Sequence, residues 1–148
     1  MYKKILVRLD GSELAEAVLP HVCALAECMK AEIVLLRVMI VPIYDYTVFD
    51  PRLDVTLRGQ VETETTMYLE QKATELRQSG FTVTTQFGEG EIAETILSIA
   101  DQVQADLIAM STHGRTGLAR VVFGSVAEAV LHKARIPILL IRPSIVSE

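Results

Sequence analysis

The chain has 148 residues and a formal net charge of −5, and half of its residues are hydrophobic. This length and composition fit a single domain with a substantial core and exclude a largely disordered chain. Basic residues are scattered rather than gathered into a stripe, and no apolar run reaches the roughly 18 residues of a membrane span. The N-terminus also lacks the apolar core of a signal peptide. We therefore predict a cytoplasmic protein that binds neither nucleic acid nor membrane.

The first third of the chain is predicted to form a strand, a helix and a second strand. Lys3–Leu9 is the first strand, and it ends at the turn Asp10-Gly11-Ser12. Apolar residues recur at helical spacing over Glu13–Met29, and Pro20 inside that pattern predicts a kink. Glu32–Val38 is almost continuously apolar, which is typical of a parallel strand covered on both faces.

The middle of the chain contains a long connection and a long helix. Residues 39–56 show no period, so we interpret them as a loop. Leu57–Leu76 has the pattern of an amphipathic helix, and Gly80 is suited to the position just past its end. Phe81–Phe87 then alternates apolar and polar residues, which indicates a strand near the edge of a sheet.

The last third is predicted to continue the alternation of helices and strands. The expected elements are a helix over Ile92–Val103, a strand over residues 106–110, a helix over about residues 126–134 and a strand over Pro137–Ile141. Five strands alternating with four helices predict an α/β fold, a doubly wound open parallel sheet with helices on both faces. Residues 1–143 would form one domain, followed by a short tail at 144–148.

Small residues lie in the connection between the fourth strand and the last helix. They are Ser111 and Gly114 on one side, and Gly124 and Ser125 on the other. Ser125 is the predicted N-cap of the helix, and a helix N-terminus offers unpaired N–H groups and a partial positive charge that suit phosphate. No Gly-Lys-Ser/Thr sequence follows, so this is not a Walker A loop. An ordinary glycine-containing turn is the alternative.

A second candidate segment is the turn after the first strand. In an open doubly wound sheet, ligands bind at the carboxyl ends of the strands where the strand order reverses. If the first strand is central, Asp10 and the segment from Ser111 to Ser125 should meet there. Asp10 suits ribose hydroxyls; alternatively, it stabilises the start of the following helix.

The motifs together resemble the universal stress protein family over nearly the whole chain. They are Lys4-Ile5-Leu6-Val7-Arg8-Leu9-Asp10-Gly11-Ser12, Ser111-Thr112-His113-Gly114, and, after nine residues, Gly124-Ser125-Val126-Ala127-Glu128. The resemblance implies a five-stranded parallel sheet of order 3-2-1-4-5. It also implies a homodimer that pairs through the last strand, here Pro137, Ile138, Leu139, Leu140 and Ile141.

The nucleotide-binding branch of that family holds ATP, and the resemblance implies a set of contacts here. Phosphates would lie against Gly114, Gly124, Ser125 and Val126, ribose against Asp10, and adenine between Val38 and Met110. His113 and Arg115 would reach a terminal phosphate or lie exposed in the loop. The full predicted nucleotide-binding set is Leu9, Asp10, Val38, Met110, Ser111, His113, Gly114, Arg115, Gly124, Ser125 and Val126. AMP or ADP are further ligands, and Asp10 and Glu89 could hold Mg²⁺ through water or phosphate.

Two residues depart from the family pattern. Ser111 replaces the first glycine of the phosphate motif, and its Cβ restricts the backbone. Arg8 stands where the family often has proline, and it could reach a phosphate or a partner's carboxylate, or face solvent. We predict an ATP-binding, dimeric regulatory module of the stress response with no catalytic residue. The alternatives are a slow ATPase or autokinase and a nucleotide-free stress or interaction protein.

Overall fold

The computed structural model describes residues 1–40, 51–113 and 124–143. Two predicted site residues, Gly114 and Arg115, lie outside these ranges, as do the predicted tail and most of the predicted loop at 39–56. The strands are β1 (Lys4–Arg8), β2 (Glu32–Met39), β3 (Val83–Glu89), β4 (Leu107–Ser111) and β5 (Ile138–Ile141). The helices are α1 (Glu13–Glu16), α2 (Leu19–Met29), α3 (Pro51–Gln78), α4 (Ile92–Val103) and α5 (Ser125–Lys133).

All five strands form one parallel sheet of order β3-β2-β1-β4-β5. This confirms the predicted topology, including the central place of β1 and the edge position of β3. Val7 of β1 lies opposite Leu35 of β2 on one side and Ala109 of β4 on the other. The strand order therefore reverses between β1 and β4, which is where a doubly wound sheet binds its ligands.

Each face of the sheet is covered by its own pair of helices. Val7 and Leu35 pack in one core with residues of α2 and α3, while Leu6 and Ile108 pack in a second core with residues of α4 and α5. Successive side chains of a strand point to opposite faces, so a central strand must be apolar at every position. The continuous apolar run in β2 is explained in this way, and the predicted helices on both faces are confirmed.

Three predicted helix boundaries were wrong. The segment 13–29 is two helices rather than one kinked helix, because α1 ends at Glu16 and Pro20 lies in the first turn of α2, where a missing N–H is tolerated. Helix α3 begins at Pro51 rather than Leu57, since residues such as Val55 are exposed and give no apolar period. The N-cap of α5 is Gly124, and Ser125 is its first residue. No helix in the described part is long and apolar enough to cross a membrane.

Candidate functional site

The carboxyl ends of β1 and β4 and the N-terminus of α5 border a cleft of about 270 Å³. The structure thus brings together the two segments that were predicted separately, the turn after β1 and the connection after β4. The residues that line this cleft are Arg8, Asp10, Ile40, Ile92, Met110, Ser111, Thr112, Gly124, Ser125, Val126 and Ala127.

A second cleft of about 320 Å³ adjoins the first. The two share four lining residues, Ile40, Ile92, Ser125 and Val126, so together they form a groove that runs past the start of α5. The groove has a polar end at Asp10 and an apolar stretch at the two isoleucines. This division suits an elongated ligand with one polar and one flat apolar part.

Asp10 is fixed in place by the turn that it begins. It is buried, and its Oδ1 accepts hydrogen bonds from the Ser12 N–H at 2.9 Å and the Ser12 hydroxyl at 2.5 Å. The Ser12 Oγ in turn accepts from the Ala15 N–H at 3.2 Å and caps α1. Gly11 between them has a φ of +86°, which glycine adopts without strain. The carboxylate therefore stands at the cleft in a predetermined orientation.

Arg8 lies beside Asp10 at the floor of the cleft. Its Nη1 is 3.6 Å from Asp10 Oδ2, and its side chain is only 11% exposed. Burial lowers the pKa of the Arg8 guanidinium, the Asp10 carboxylate opposes this shift, and the nearby Arg37 adds to it. The site thus holds a buried cation close to a buried anion.

The N-terminus of α5 is open toward the cleft. The N-cap residue Gly124 has no side chain with which to cap this helix, and the first backbone bond of the helix is from the Glu128 N–H to the Gly124 carbonyl at 2.9 Å. The N–H groups of the first three helical residues therefore lack partners within the helix, and all three residues line the cleft. In α4, by contrast, the Glu91 carboxylate accepts the N–H groups of Ala93 and Glu94 in the first turn of the helix that it caps. The start of α5 can accept an anion from outside the chain.

Ser111 is the last residue of β4, and its hydroxyl is used within the fold. The Oγ donates to the Ala15 carbonyl at 3.2 Å and ties the end of the strand to α1. Ser111 does not have a positive φ. The φ angle at this position therefore does not require a glycine.

The other predicted site residues occupy different surroundings. Met110 is buried and lines the cleft. Leu9 is buried in the core beneath α2 and α3, whereas Val38 packs against the core beneath α4 and α5. Neither residue lines the cleft. The apolar wall expected from Val38 is instead formed by Ile40 and Ile92. His113 is half-buried, with its Nδ1 2.9 Å from the Thr112 hydroxyl oxygen.

Sequence reasoning missed Ile40, Ile92, Thr112 and Ala127 as lining residues. Ile40 had a signal, because it follows Val38 by two residues and the period of a strand places both on one face. The predicted magnesium pair is not brought together, since Glu89 forms an ion pair with Arg58 at 2.5 Å and β2 separates β3 from β1. No metal-binding cluster of His, Cys, Asp or Glu occurs among the described residues.

The sheet order, the helices on both faces and the cleft at the strand reversal define a doubly wound α/β domain. Residues 1–142 match the model of the universal stress protein family. The chain belongs to this family.

Relatives and solved structures agree with this assignment. Universal stress protein MJ0577 of Methanocaldococcus jannaschii is 33% identical to this chain over 155 aligned residues, which cover 96% of each chain. Its solved structure matches this one with a TM-score of 0.85, over 97% of this chain and 98% of that chain. The structure of universal stress protein UspA from Lactobacillus plantarum matches with a TM-score of 0.80 at 25% identity, over 95% of this chain and 98% of that chain. A universal stress protein in complex with cAMP shares the fold, with a TM-score of 0.67 at 17% identity over 97% and 98%.

Proposed function

We propose that this protein is an ATP-binding regulatory module of the stress response, a cytoplasmic homodimer that changes its partners with its nucleotide state. One observation carries the proposal: the cleft at the strand reversal combines an oriented buried carboxylate with an open helix N-terminus. Asp10 and the first turn of α5 both line this cleft. Anion-binding helix termini at this position of a doubly wound sheet are the general means of holding nucleotide phosphates.

Each part of a nucleotide has a matching part of the groove. The phosphates would accept hydrogen bonds from the N–H groups at the start of α5, and Gly114 and Arg115 are proposed to complete that contact. The Asp10 carboxylate would accept the ribose hydroxyls. The base would lie in the apolar stretch beside Ile40 and Ile92, in place of Val38. AMP and ADP would fit the same arrangement with fewer phosphate contacts.

The proposal is for binding rather than turnover. Within the described part, the only carboxylates that line the groove are Asp10 and Glu91. Both already accept hydrogen bonds from nearby residues: Asp10 accepts from Ser12, and Glu91 accepts from N–H groups in the first turn of α4. A base for activating water must be poised to accept a proton from it. Because Glu89 is paired with Arg58, we propose that Mg²⁺ is held by phosphate oxygens and water.

The structure solved with cAMP supports an adenine nucleotide as ligand, since that protein of the same fold holds one. The β5 edge supports the dimer. Strand β5 ends the sheet, and its four residues are all only partly buried. An apolar strand edge left open promotes uncontrolled pairing, and a two-fold partner would close it.

Calorimetric titration of nucleotide-stripped protein with ATP and Mg²⁺ tests the binding claim. We expect saturation at one ATP per chain. Asp10→Asn keeps an oxygen for the Ser12 bonds but removes the charge, so it should weaken binding about 10-fold. If the parent shows neither heat nor a thermal shift at millimolar ATP, the proposal fails and the nucleotide-free alternative is favoured.

A further inference from the structure

Arg8 carries a buried guanidinium that makes no hydrogen bond within the described part of the chain. Its Nε is buried without a partner. Among the described residues, its only close counter-charge is Asp10, whose Oδ2 lies 3.6 Å from Nη1, beyond hydrogen-bond distance. The guanidinium has five N–H donors, and the one at Nε is buried without a partner among the described residues.

The position of Arg8 in the sheet directs this guanidinium to the cleft. Alternation along β1 places Val7 in the core beneath α2 and α3, so Arg8 faces the side of α4 and α5. Leu36 of β2 lies opposite Arg8 in register, and Met110 of β4 is on the same face. Arg8 thus forms the middle of the cleft floor, and it lines the cleft together with Ser125.

This arrangement is costly in the ligand-free protein. A buried donor without an acceptor destabilises a fold, and a buried cation does so more strongly. Asp10 offsets this cost only in part, because the burial of the guanidinium outweighs the attraction of the carboxylate, and the positive charge of Arg37 acts in the same direction as burial. In native structures a buried unsatisfied polar group calls for an explanation, and a functional role of that group is one such explanation.

We propose that Arg8 contacts the bound nucleotide and selects ligands that present two adjacent acceptor atoms to its guanidinium. This inference rests on the proposed function, whose phosphate and ribose contacts it extends. Arginine offers a planar fork of donors and no acceptor, which matches the oxygens of a phosphate. The O6 and N7 atoms of guanine match it equally, whereas adenine sets a donor beside its N7. Arg8 is therefore a specificity-determining residue at the position where the family often has proline.

The test measures the dissociation constants of ATP, GTP, adenosine and guanosine for the parent, Arg8→Met and Arg8→Lys. Methionine keeps much of the side-chain volume and removes the charge, and Asp10 keeps its bonds to Ser12. Arg37→Met is the matched control, since it removes a nearby positive charge that does not line the cleft. Thermal unfolding without ligand shows whether each variant is folded.

We expect Arg8→Met to bind the preferred nucleotide at least about 10-fold more weakly than the parent. Its ligand-free Tm should be equal to or above that of the parent. Arg8→Lys should recover only part of the affinity, and Arg37→Met should bind within about threefold of the parent. A loss for ATP but not for adenosine assigns the contact to phosphate. A loss of affinity that is also seen with guanosine, which has no phosphate, assigns the Arg8 contact to the edge of the base.

Binding by Arg8→Met that is equal to or tighter than binding by the parent, for every ligand, would overturn this inference alone. The guanidinium would then only fill the cleft. A parent that does not bind ATP would refute the proposed function, and a parent that binds none of the four compounds would refute the inference as well.

Discussion

The Gly124 N–H donates a 2.7 Å hydrogen bond to the Thr112 carbonyl, and this bond joins the two sides of the cleft at the start of α5. A Cβ on Gly124 would lie 2.3 Å from the same carbonyl oxygen. The φ of Gly124 is −63°, so the glycine is required by close approach of the backbone rather than by its dihedral angles. Gly124 thus supports the site by allowing β4 and α5 to come together.

Gly124→Ala should therefore reduce stability as well as any ligand binding. Moving backbone apart to admit a methyl group costs about 1–3 kcal/mol in packed regions. Gly59→Ala is the matched control, because Gly59 lies in α3 with nothing near its added Cβ, and it should stabilise by about 0.5–1 kcal/mol. Urea unfolding of both variants measures the difference. Equal free energies of unfolding for Gly124→Ala and the parent would show that the contact is not tight.

Ser111→Gly should not improve the site, although it restores the glycine of the family motif. The Ser111 hydroxyl bond to the Ala15 carbonyl would be lost, and glycine adds freedom to the unfolded chain. We expect a loss of about 1–2 kcal/mol in the free energy of unfolding and a change in nucleotide affinity of less than about threefold. Ser111→Ala removes the hydroxyl but keeps the Cβ, so it separates the loss of the hydrogen bond from the added freedom of the unfolded chain. A large gain in affinity for Ser111→Gly alone would show that the serine obstructs the ligand.

Tyr68 should make stability depend on pH in the alkaline range. Its hydroxyl donates to Glu16 Oε2 at 2.9 Å, and burial, followed by this hydrogen bond to Glu16, raises the pKa of Tyr68. The unfolded chain then loses the phenol proton first, near its usual pKa of about 10, so the free energy of unfolding falls as pH rises above that value.

Tyr68→Phe should lose about 1 kcal/mol at neutral pH and show a shallower alkaline decline than the parent. Lys72 also has a raised pKa, because it bonds to Glu16, but it is present in both proteins and cancels in the comparison. Urea unfolding from about pH 8 to pH 11 measures both curves. Parallel curves would mean that Tyr68 titrates alike in the folded and unfolded chains.

The proposed dimer predicts sedimentation at twice the 16.3 kDa mass of the chain. The Ile108 N–H in β4 donates to the Pro137 carbonyl, and the Thr112 N–H just after β4 donates to the Ile141 carbonyl. By alternation, the polar backbone groups of Leu140 therefore face the open edge. Leu140→Pro removes an outward N–H while sparing those two bonds, and it should shift the protein toward monomer. A parent that sediments as a monomer at micromolar concentration would contradict the dimer.

The fold was largely predictable because its signals are local and strong. The apolar run in β2 and the alternation in β3 gave the central and edge strands, and turn residues such as Gly80 marked helix ends. The break between α1 and α2 was harder to predict, because the helical spacing of apolar residues continues across it. Only the position of Pro20 in the first turn of α2 distinguishes two helices from one kinked helix.

The site was predictable only in part. The distance along the chain hides which segments meet, so Ile92 at the start of α4 was not recognised as part of the cleft wall beside Ile40. The use of the Ser111 hydroxyl by Ala15, across 96 residues of chain, also had no local signal. Arg8 stood out in an apolar strand, but its burial and its unfilled Nε appear only once β2 and β4 enclose it.

The most direct measurement of the central claim compares ATP binding by the parent, Ser125→Glu and Ser98→Glu. Ser125 is exposed at the first position of α5 and lines the cleft, while Ser98 is exposed on α4 away from it. A glutamate at a helix start interacts favourably with the dipole, by about 0.3–1 kcal/mol, so Ser125→Glu should keep the Tm of the parent. Its carboxylate would repel phosphates at the proposed contact.

We expect saturable binding of ATP by the parent and by Ser98→Glu, and binding at least about 30-fold weaker by Ser125→Glu, because like charges in contact cost several kcal/mol. Equal affinity of Ser125→Glu and the parent, or no binding by the parent, would contradict a phosphate site at the start of α5.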